Sequence, residues 1–280
     1  MNLISASIVI YKTPDTLLYR LLDCIHASGC IDHIYVIDNS PQSHHQSGFE
    51  KFPLTYIWTQ KNLGYGSAHN IALRKAIELG AELHFVINPD IAFEDTELIK
   101  MVSRLRDDPV IGLLMPKVTY PDGSLQYLCK LLPTPMDLFI RRVMVGPLAG
   151  FRERLTQHFE LRFTGYAQEM NVPFLSGCFM LLKIKALKQV GIFDESLFMY
   201  GEDIDLSRRI HAEYKTLFFP GAHVVHDYAK ASYKSTKMLL IHMINIARYF
   251  NKWGWIFDSQ RKKVNADTLK EFKKPNKPSK

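Results

Sequence analysis

The sequence predicts an α/β fold: a doubly wound, mostly parallel sheet with helices on both faces, followed by a helical, basic C-terminal tail. Three observations predict it. Short β-branched apolar runs alternate with helical patterns over residues 4–105, the mark of strand–helix–strand units. Polar residues fall just after successive strands, at Asp38, Asn62 and Asp90, on the edge where such sheets bind ligands. Charge is unevenly spread: residues 229–280 carry 13 Lys or Arg against 3 Asp or Glu, a net of +10, while residues 1–228 carry 22 against 25, a net of −3.

Taken in order, residues 4–11 (ISASIVIY) read as a strand buried on both faces. Thr13, Pro14 and Asp15 supply an N-cap, a first-turn proline and an acidic first turn for a helix bearing Leu17, Leu18, Leu21, Leu22 and Ile25 on one face. Residues 33–37 and 54–58 are further strands, residues 67–79 a helix, residues 83–87 a fourth strand and residues 94–105 another helix. After Gly112 the pattern changes, and residues 118–124 read as a hairpin turn. Residues 130–170 read as a helical insertion shaping an acceptor site. Residues 174–182 hold the small-residue step Ser176, Gly177, Cys178 before another apolar strand. A helix over 203–213 follows the acidic cluster, with short closing strands at 217–219 and 223–226. In the tail, residues 232–250 are helical, and the Lys-rich stretch beyond Trp255, with Pro275 and Pro278, reads as disordered.

With 280 residues, 47% of them apolar and 22% charged, the chain can bury a sizeable core. Cys24, Cys30, Cys129 and Cys178 lack CxxC or metal-ligand spacing, which predicts a reduced, cytosolic chain. The first apolar run has no basic n-region, and no run reaches the roughly 18 apolar residues of a spanning helix. The absence of a GxGxxG fingerprint and of a Walker Lys-Ser/Thr argues against NAD enzymes and P-loop NTPases.

Two acidic clusters carry the chemistry. Asn88-Pro89-Asp90 ends a strand, where Asp90 either holds a hard divalent cation or makes a polar turn. His226 ends an apolar run and is the candidate second ligand, or a satisfied strand-end histidine. His223 should point to the other face. Glu202 and Asp203 open a helix, where acids complement the dipole. The preceding Phe198, Met199 and Tyr200 limit their solvation and suit one of them to be a base. Asp205 reads as structural. Asp38 either accepts from a pyrimidine N3–H or terminates its strand in an Asx turn.

The ordered motifs IVIYKTP, VIDNS, NLGYGSAHN, FVINPD, SGCFML, FDESLFMYGEDIDLSRR and AHVVH, over about residues 3–228, resemble family 2 glycosyltransferases with the GT-A fold. Within them the chain is most similar to the bacterial rhamnosyltransferase-like branch of O-antigen and polysaccharide assembly. The resemblance implies a GT-A domain over 1–228 and inverting transfer from a nucleoside-diphosphate sugar with Mg²⁺ or Mn²⁺. It implies nucleotide-sugar contacts at Tyr11, Asp38, Asn62, Gly64, Asn88 and Asp90, metal ligation by Asp90 and His226, catalysis by Asp203 with Glu202, and an acceptor side at Gly177 and Tyr200. Lys12 stands where the family usually has Asn, and Asn88 replaces the first acid of the DxD motif. Arg208 and Arg209 are open between structure and phosphate contact. The donor expected is dTDP-L-rhamnose and the acceptor a polyprenyl-diphosphate-linked glycan, with the basic tail on the anionic inner face of the cell membrane. A UDP-hexose or galactofuranose donor is the rival within the class, and a catalytically silent sugar-binding or scaffolding subunit the rival outside it. A sugar-nucleotide pyrophosphorylase is disfavoured, since Lys12-Thr13-Pro14 stands where its Gly-rich basic loop would be.

Overall fold

The structure is a computed structural model that describes residues 3–43, 49–137, 149–227 and 236–273. The elements β1 (Ile4–Ile10), α1 (Asp15–Ser28), β2 (His33–Asp38), β3 (Leu54–Trp58), α2 (Tyr65–Glu78) and β4 (Leu83–Ile87) follow in chain order. They match the expected alternation, and β3, β2, β1 and β4 pair side by side in parallel. Thr13 is not the N-cap of α1. Pro14 holds that position without a side-chain cap, and the Thr13 hydroxyl accepts from the Tyr11 N–H instead.

Next come β5 (Ile91–Ala92), α3 (Glu97–Asp107), β6 (Ile111–Thr119), β7 (Cys129–Lys130), α4 (Ala149–Phe159), β8 (Met170–Asn171), β9 (Phe174–Leu175), β10 (Phe179–Lys183), α5 (Ile184–Val190), α6 (Glu202–Glu213) and β11 (Lys215–His226). The main sheet of the described residues runs β3-β2-β1-β4-β10-β6-β11-β5, with β8 on β11. β10 lies antiparallel between β4 and β6, and β11 is parallel to β6.

Sequence reading missed β6, which contains Pro116, a residue that cannot donate to a ladder. It is accommodated beside Phe219, where the β6–β11 register shifts. The same irregularity joins into one bulged strand what read as two short ones. The expected turn after β6 forms at Tyr120–Gly123, closed by a Thr119–Leu125 bridge. Of residues 130–170, the helix at Ala149–Phe159 is described, and 138–148 lie outside the described residues.

Two apolar layers sandwich the sheet. Ile4, Ala6, Ile8 and Ile10 of β1 face Leu18, Leu21 and Leu22 of α1 and Leu98 and Met101 of α3. On the other side, Val86, Met180 and Leu182 meet Leu73 of α2, Leu187 of α5 and Leu206 and Ile210 of α6. On that face β1 carries Ser5 and Ser7, which with His84 and His69 form a buried hydrogen-bonded chain. Burial pulls both imidazoles below their ordinary value, so the rings are neutral and add no buried charge.

The C-terminal segment forms α7 (Thr236–Trp253) and α8 (Ser259–Lys273). α8 corrects the expectation of disorder beyond Trp255, while Pro275 and Pro278 lie outside the described residues. Its lysine content conceals a good helix start: Asp258 Oδ1 accepts the Arg261 N–H at 2.9 Å, an N-cap bond. Arg261 and Thr268 are buried, and the Asn265 amide brackets both backbone groups of Leu132. No helix of the described residues is long and apolar enough to cross a membrane.

The joint between tail and domain is Arg208 of α6. Its guanidinium makes two bonds of 2.7 Å to the Asp258 carboxylate, reaches the Tyr249 hydroxyl and Gln260, and lies 4.0 Å over the Trp253 ring. The neighbouring Arg209 binds Asp205 and the carbonyls of Val190, Gly191 and Ile192. Both arginines are therefore structural, which closes the question of phosphate contact. Asp205, as expected, is structural too: it accepts from Arg209, Trp253 Nε1 and Lys252. Because the Arg208–Asp258 pair is dry, removing one partner strands the other charge. Arg208→Ala should cost about 3–5 kcal/mol in urea unfolding, whereas Arg208→Met with Asp258→Leu should cost far less.

Candidate active site

The site gathers where β4 ends. The Asn88 N–H donates to the Cys178 carbonyl at 2.9 Å, so the strand-end acids lie beside the start of β10. The preceding residue, Gly177, donates its N–H to Asp203 Oδ2 at 3.2 Å. A Cβ at Gly177 would come within 3.2 Å of Asp203 Cβ and 3.3 Å of the Tyr65 ring. The two acidic clusters, more than a hundred residues apart in sequence, thus share one short wall. The Tyr65 phenol, which donates to the Gly177 carbonyl, lies on the same wall. Burial raises its pKa, and Cys178, Glu202, Asp203 and Asp90 push the same way, so all four groups are within electrostatic reach of one hydroxyl.

On one side of this wall stand Asn88, Asp90 and His226. His226 Nε2 is 3.2 Å from Asp90 Oδ1 and 3.4 Å from Asn88 Nδ2. The approach to Asp90 is close enough to attract but lies off the hydrogen-bond direction. Asp90 Oδ1 and Asn88 Oδ1 are thus buried oxygens with no hydrogen-bond partner among the described residues. Two orphaned hard oxygens beside an imidazole nitrogen fit a divalent cation such as Mg²⁺ or Mn²⁺. No group of three or more His, Cys, Asp or Glu side chains gathers into a cage among the described residues, so such an ion needs ligand oxygens from a substrate.

Gln126, which sequence reading missed, fixes the histidine. Its Oε1 meets His226 Nδ1 at 3.0 Å and its Nε2 donates to the His226 carbonyl at 2.8 Å. With Nδ1 donating to Gln126, Nε2 is the ring nitrogen turned toward Asp90. Burial pulls the imidazole down, but Cys178 and Asp90 outweigh it and push His226 up to about 10. Cation binding there displaces the Nε2 proton. His223 is elsewhere: its ring meets Thr119 Oγ1 and its N–H donates to Glu97.

On the other side stand Glu202 and Asp203, at the start of α6. Burial, with the Asp203 charge beside it, pushes Glu202 up to about 8. Burial also raises Asp203, opposed by the Gly177 and Ile204 N–H groups that donate to its two oxygens. Adjacent carboxyls do not both ionise in a dry site. Glu202 keeps its proton, and the half-buried Asp203 carries the charge and has the basic oxygen.

The remaining candidates form a neighbouring loop layer. Asp38 is buried; Oδ1 accepts the Ser40 N–H at 2.8 Å, an Asx turn, and Oδ2 accepts from the Tyr56 hydroxyl. The Asn62 carbonyl oxygen accepts from the Gly64 N–H and the Asn39 amide. Gly64 has φ +88 and lies so close to the Phe198 carbonyl that a Cβ would collide with it, so only glycine fits. Tyr11 is exposed just past the end of β1, with the Lys12 ammonium 5.7 Å from its ring centre. Tyr200 holds φ +73, a backbone state that costs a bulky residue about 1–3 kcal/mol. α7 sustains it: Asn245 accepts the Phe198 N–H at 2.9 Å, Arg248 binds the Ser196 carbonyl at 2.6 Å, and the Tyr200 ring packs 4.9 Å from His242.

Comparison with known proteins places this geometry. The model of glycosyl transferase family 2 matches residues 5–191. An N-acetylglucosaminyl-diphospho-decaprenol L-rhamnosyltransferase of Mycobacterium tuberculosis is 29% identical over 67% of this chain and 63% of its own length. A galactofuranosyltransferase of the same organism is 25% identical over 73% of this chain and 63% of its own. The chain thus spans less than two thirds of these relatives. Among solved structures, a mannosyltransferase from Pyrobaculum calidifontis, in complex with GDP-Man and Mn²⁺, superimposes with a TM-score of 0.54 at 15% identity, covering 98% of this chain and 76% of that one. The fold is GT-A, as the sequence predicted.

A carboxyl that holds its proton more tightly folded than unfolded favours the fold at low pH. That advantage is lost as pH rises from the ordinary carboxyl range through about 8. The wild-type thermal midpoint should therefore fall between roughly pH 5 and pH 9, by the equivalent of a few kcal/mol at most. Glu202→Gln, which mimics the protonated state, should flatten that fall when melting is followed across the same range.

Proposed function

Because the chain belongs to glycosyl transferase family 2, we propose that it is an inverting glycosyltransferase. It moves L-rhamnose from dTDP-L-rhamnose onto a polyprenyl-diphosphate-linked glycan, in bacterial surface polysaccharide synthesis. The observation that carries the reading is the Gly177–Cys178 step, with the Asp203 carboxyl bonded to the Gly177 N–H and, next to Cys178, the orphaned buried oxygens of Asn88 and Asp90 beside the His226 imidazole. Transfer from a diphosphate donor needs both: a base for the acceptor hydroxyl and a place for the departing charge.

The residues divide the work as follows. Asp203 takes the proton from the acceptor hydroxyl, and the freed oxygen attacks the anomeric carbon from the face opposite the leaving group. One carbon–oxygen bond forms as the bond to the diphosphate breaks, so the anomeric centre inverts. The proton resides on Asp203 until it is lost to solvent. Asn88, Asp90 and His226 would hold Mg²⁺ or Mn²⁺, which would supply positive charge against the nucleoside diphosphate. Tyr11, Asp38, Asn62 and Gly64 lie on the nucleoside side. Gly177 and Tyr200 face the acceptor, and Glu202, kept neutral, spares Asp203 a second adjacent charge. The decaprenol-linked acceptor in the relative's name supports a lipid-linked acceptor for this chain, peripheral to the inner face of the cell membrane. The galactofuranosyltransferase relative supports the second reading of the donor, a galactofuranose or other UDP-hexose.

Asp203→Asn should lower the transfer rate by roughly 10²–10⁴-fold, the usual worth of a general base, while leaving nucleotide binding in place. Full activity in that variant would make the base assignment wrong. Thermal melting with dTDP, UDP and GDP separates the donors, since the cognate diphosphate raises the midpoint most. Stabilisation by UDP in place of dTDP would turn the donor assignment to the second reading. Transfer in excess EDTA equal to that with Mn²⁺ would remove the metal role of Asp90 and His226.

A further inference from the structure

The outer surface of the C-terminal helices is a feature that the proposed sugar transfer leaves unused. Along α7, Leu240, Met243 and Ile244 are 58%, 62% and 44% exposed, and their spacing puts them on one face. The opposite face buries Asn245, Tyr249 and Phe250. The α7–α8 turn then presents Trp255, Ile256 and Phe257 at 46%, 71% and 92% exposure. Three successive large apolar side chains in water are costly unless something covers them.

The turn is built to hold them there. Gly254, at φ +101, closes α7 through a 2.7 Å bond from its N–H to the Phe250 carbonyl. The buried Arg261 guanidinium donates to the carbonyls of Pro133, Gly254 and Trp255. Trp255 Nε1 donates to Asn251 Oδ1 at 2.8 Å, linking the turn to the outer side of α7. The apolar tip projects from a pinned backbone.

Charge selects the occupant. Residues 236–263 contain six Lys or Arg and a single acid, Asp258; that acid is buried against Arg208 and Arg261, Lys252 is paired with Asp194 and Asp205, and Arg248, Lys262 and Lys263 are exposed with no exposed acid in the segment. Lys262 and Lys263 are exposed one helical turn beyond the tip. Two copies of so basic a surface would repel each other, whereas anionic lipid complements it. We propose that Trp255, Ile256 and Phe257 insert into the headgroup boundary of an anionic bilayer, with the Leu240–Ile244 face of α7 lying against it. The proposal rests on the reading of the acceptor as lipid-linked for its purpose.

Co-sedimentation of the full chain with vesicles of phosphatidylcholine alone, and of phosphatidylcholine with phosphatidylglycerol, tests it. Wild type should bind the anionic vesicles preferentially. Ile256→Asp with Phe257→Asp should weaken that binding about a hundredfold, roughly tenfold for each apolar side chain withdrawn. The melting temperature and transfer to a water-soluble acceptor should be unchanged in this variant. Lys262→Glu with Lys263→Glu should also weaken binding. Brominated lipid should quench tryptophan emission in wild type, and less so in Trp255→Phe. Equal vesicle binding by the Ile256/Phe257 variant would overturn the proposal, as would a wild-type dimer in sedimentation that this variant alone dissociates. Anionic-vesicle binding by a wild type that transfers no sugar would uphold the surface while removing the transferase reading.

Discussion

The site depends on the antiparallel insertion of β10 beside β4. Hydrogen bonding between those strands continues one step past their ends, where the Asn88 N–H meets the Cys178 carbonyl. That step sets Gly177 against the start of α6. Because Gly177 has no side chain, the Asp203 carboxylate can close on its N–H. Two backbone N–H groups, of Asn88 and Gly177, thereby tie the Asn88–Asp90 turn and the Asp203 carboxyl to adjacent residues of one step. A side chain at Gly177 would crowd Asp203 and Tyr65 together and disturb both.

A second dependence runs through the C-terminal helices. Arg208 and Asp205 of α6 are held by Asp258, Trp253 and Lys252. Asn245 and Arg248 of α7 hold the Phe198–Tyr200 approach to the acids. The segment that sequence composition marks as a charged tail is also scaffold for α6. Its net charge therefore overstates what faces outward: Lys252 pairs with Asp194 and Asp205, and Arg261 is buried.

Much of this was legible in the sequence, for identifiable reasons. β1 to β4 and their helices announce themselves through apolar runs, helical periodicity and polar strand ends, because each is stabilised largely by its own pattern of burial. That Asp203, Glu202, Asp90 and His226 stand at strand ends and a helix start was legible, because those are local features. What escaped was non-local. β6 carries a proline that local rules place outside a strand, and only its bulged partner β11 accommodates it. Gln126 lies just past a turn, with nothing beside it in sequence to point at a histidine a hundred residues on. α8 was hidden by lysines, since its stability comes from Arg208 and Leu132, far away in the chain. Arg208 and Arg209 could not be decided without seeing Asp258 and the carbonyls at 190–192.

The central question is whether the buried oxygens of Asn88 and Asp90 form, with His226 Nε2, one cation site beside Asp203. Anomalous diffraction at the manganese edge, from crystals grown with Mn²⁺ and dTDP, asks this directly. The expected result is a single peak about 2.0–2.3 Å from Asp90 Oδ1 and His226 Nε2, bridged to the diphosphate, with Asp203 free on the far side of Gly177. A peak remote from Asp90 and His226, or one ligated by Asp203, would contradict it.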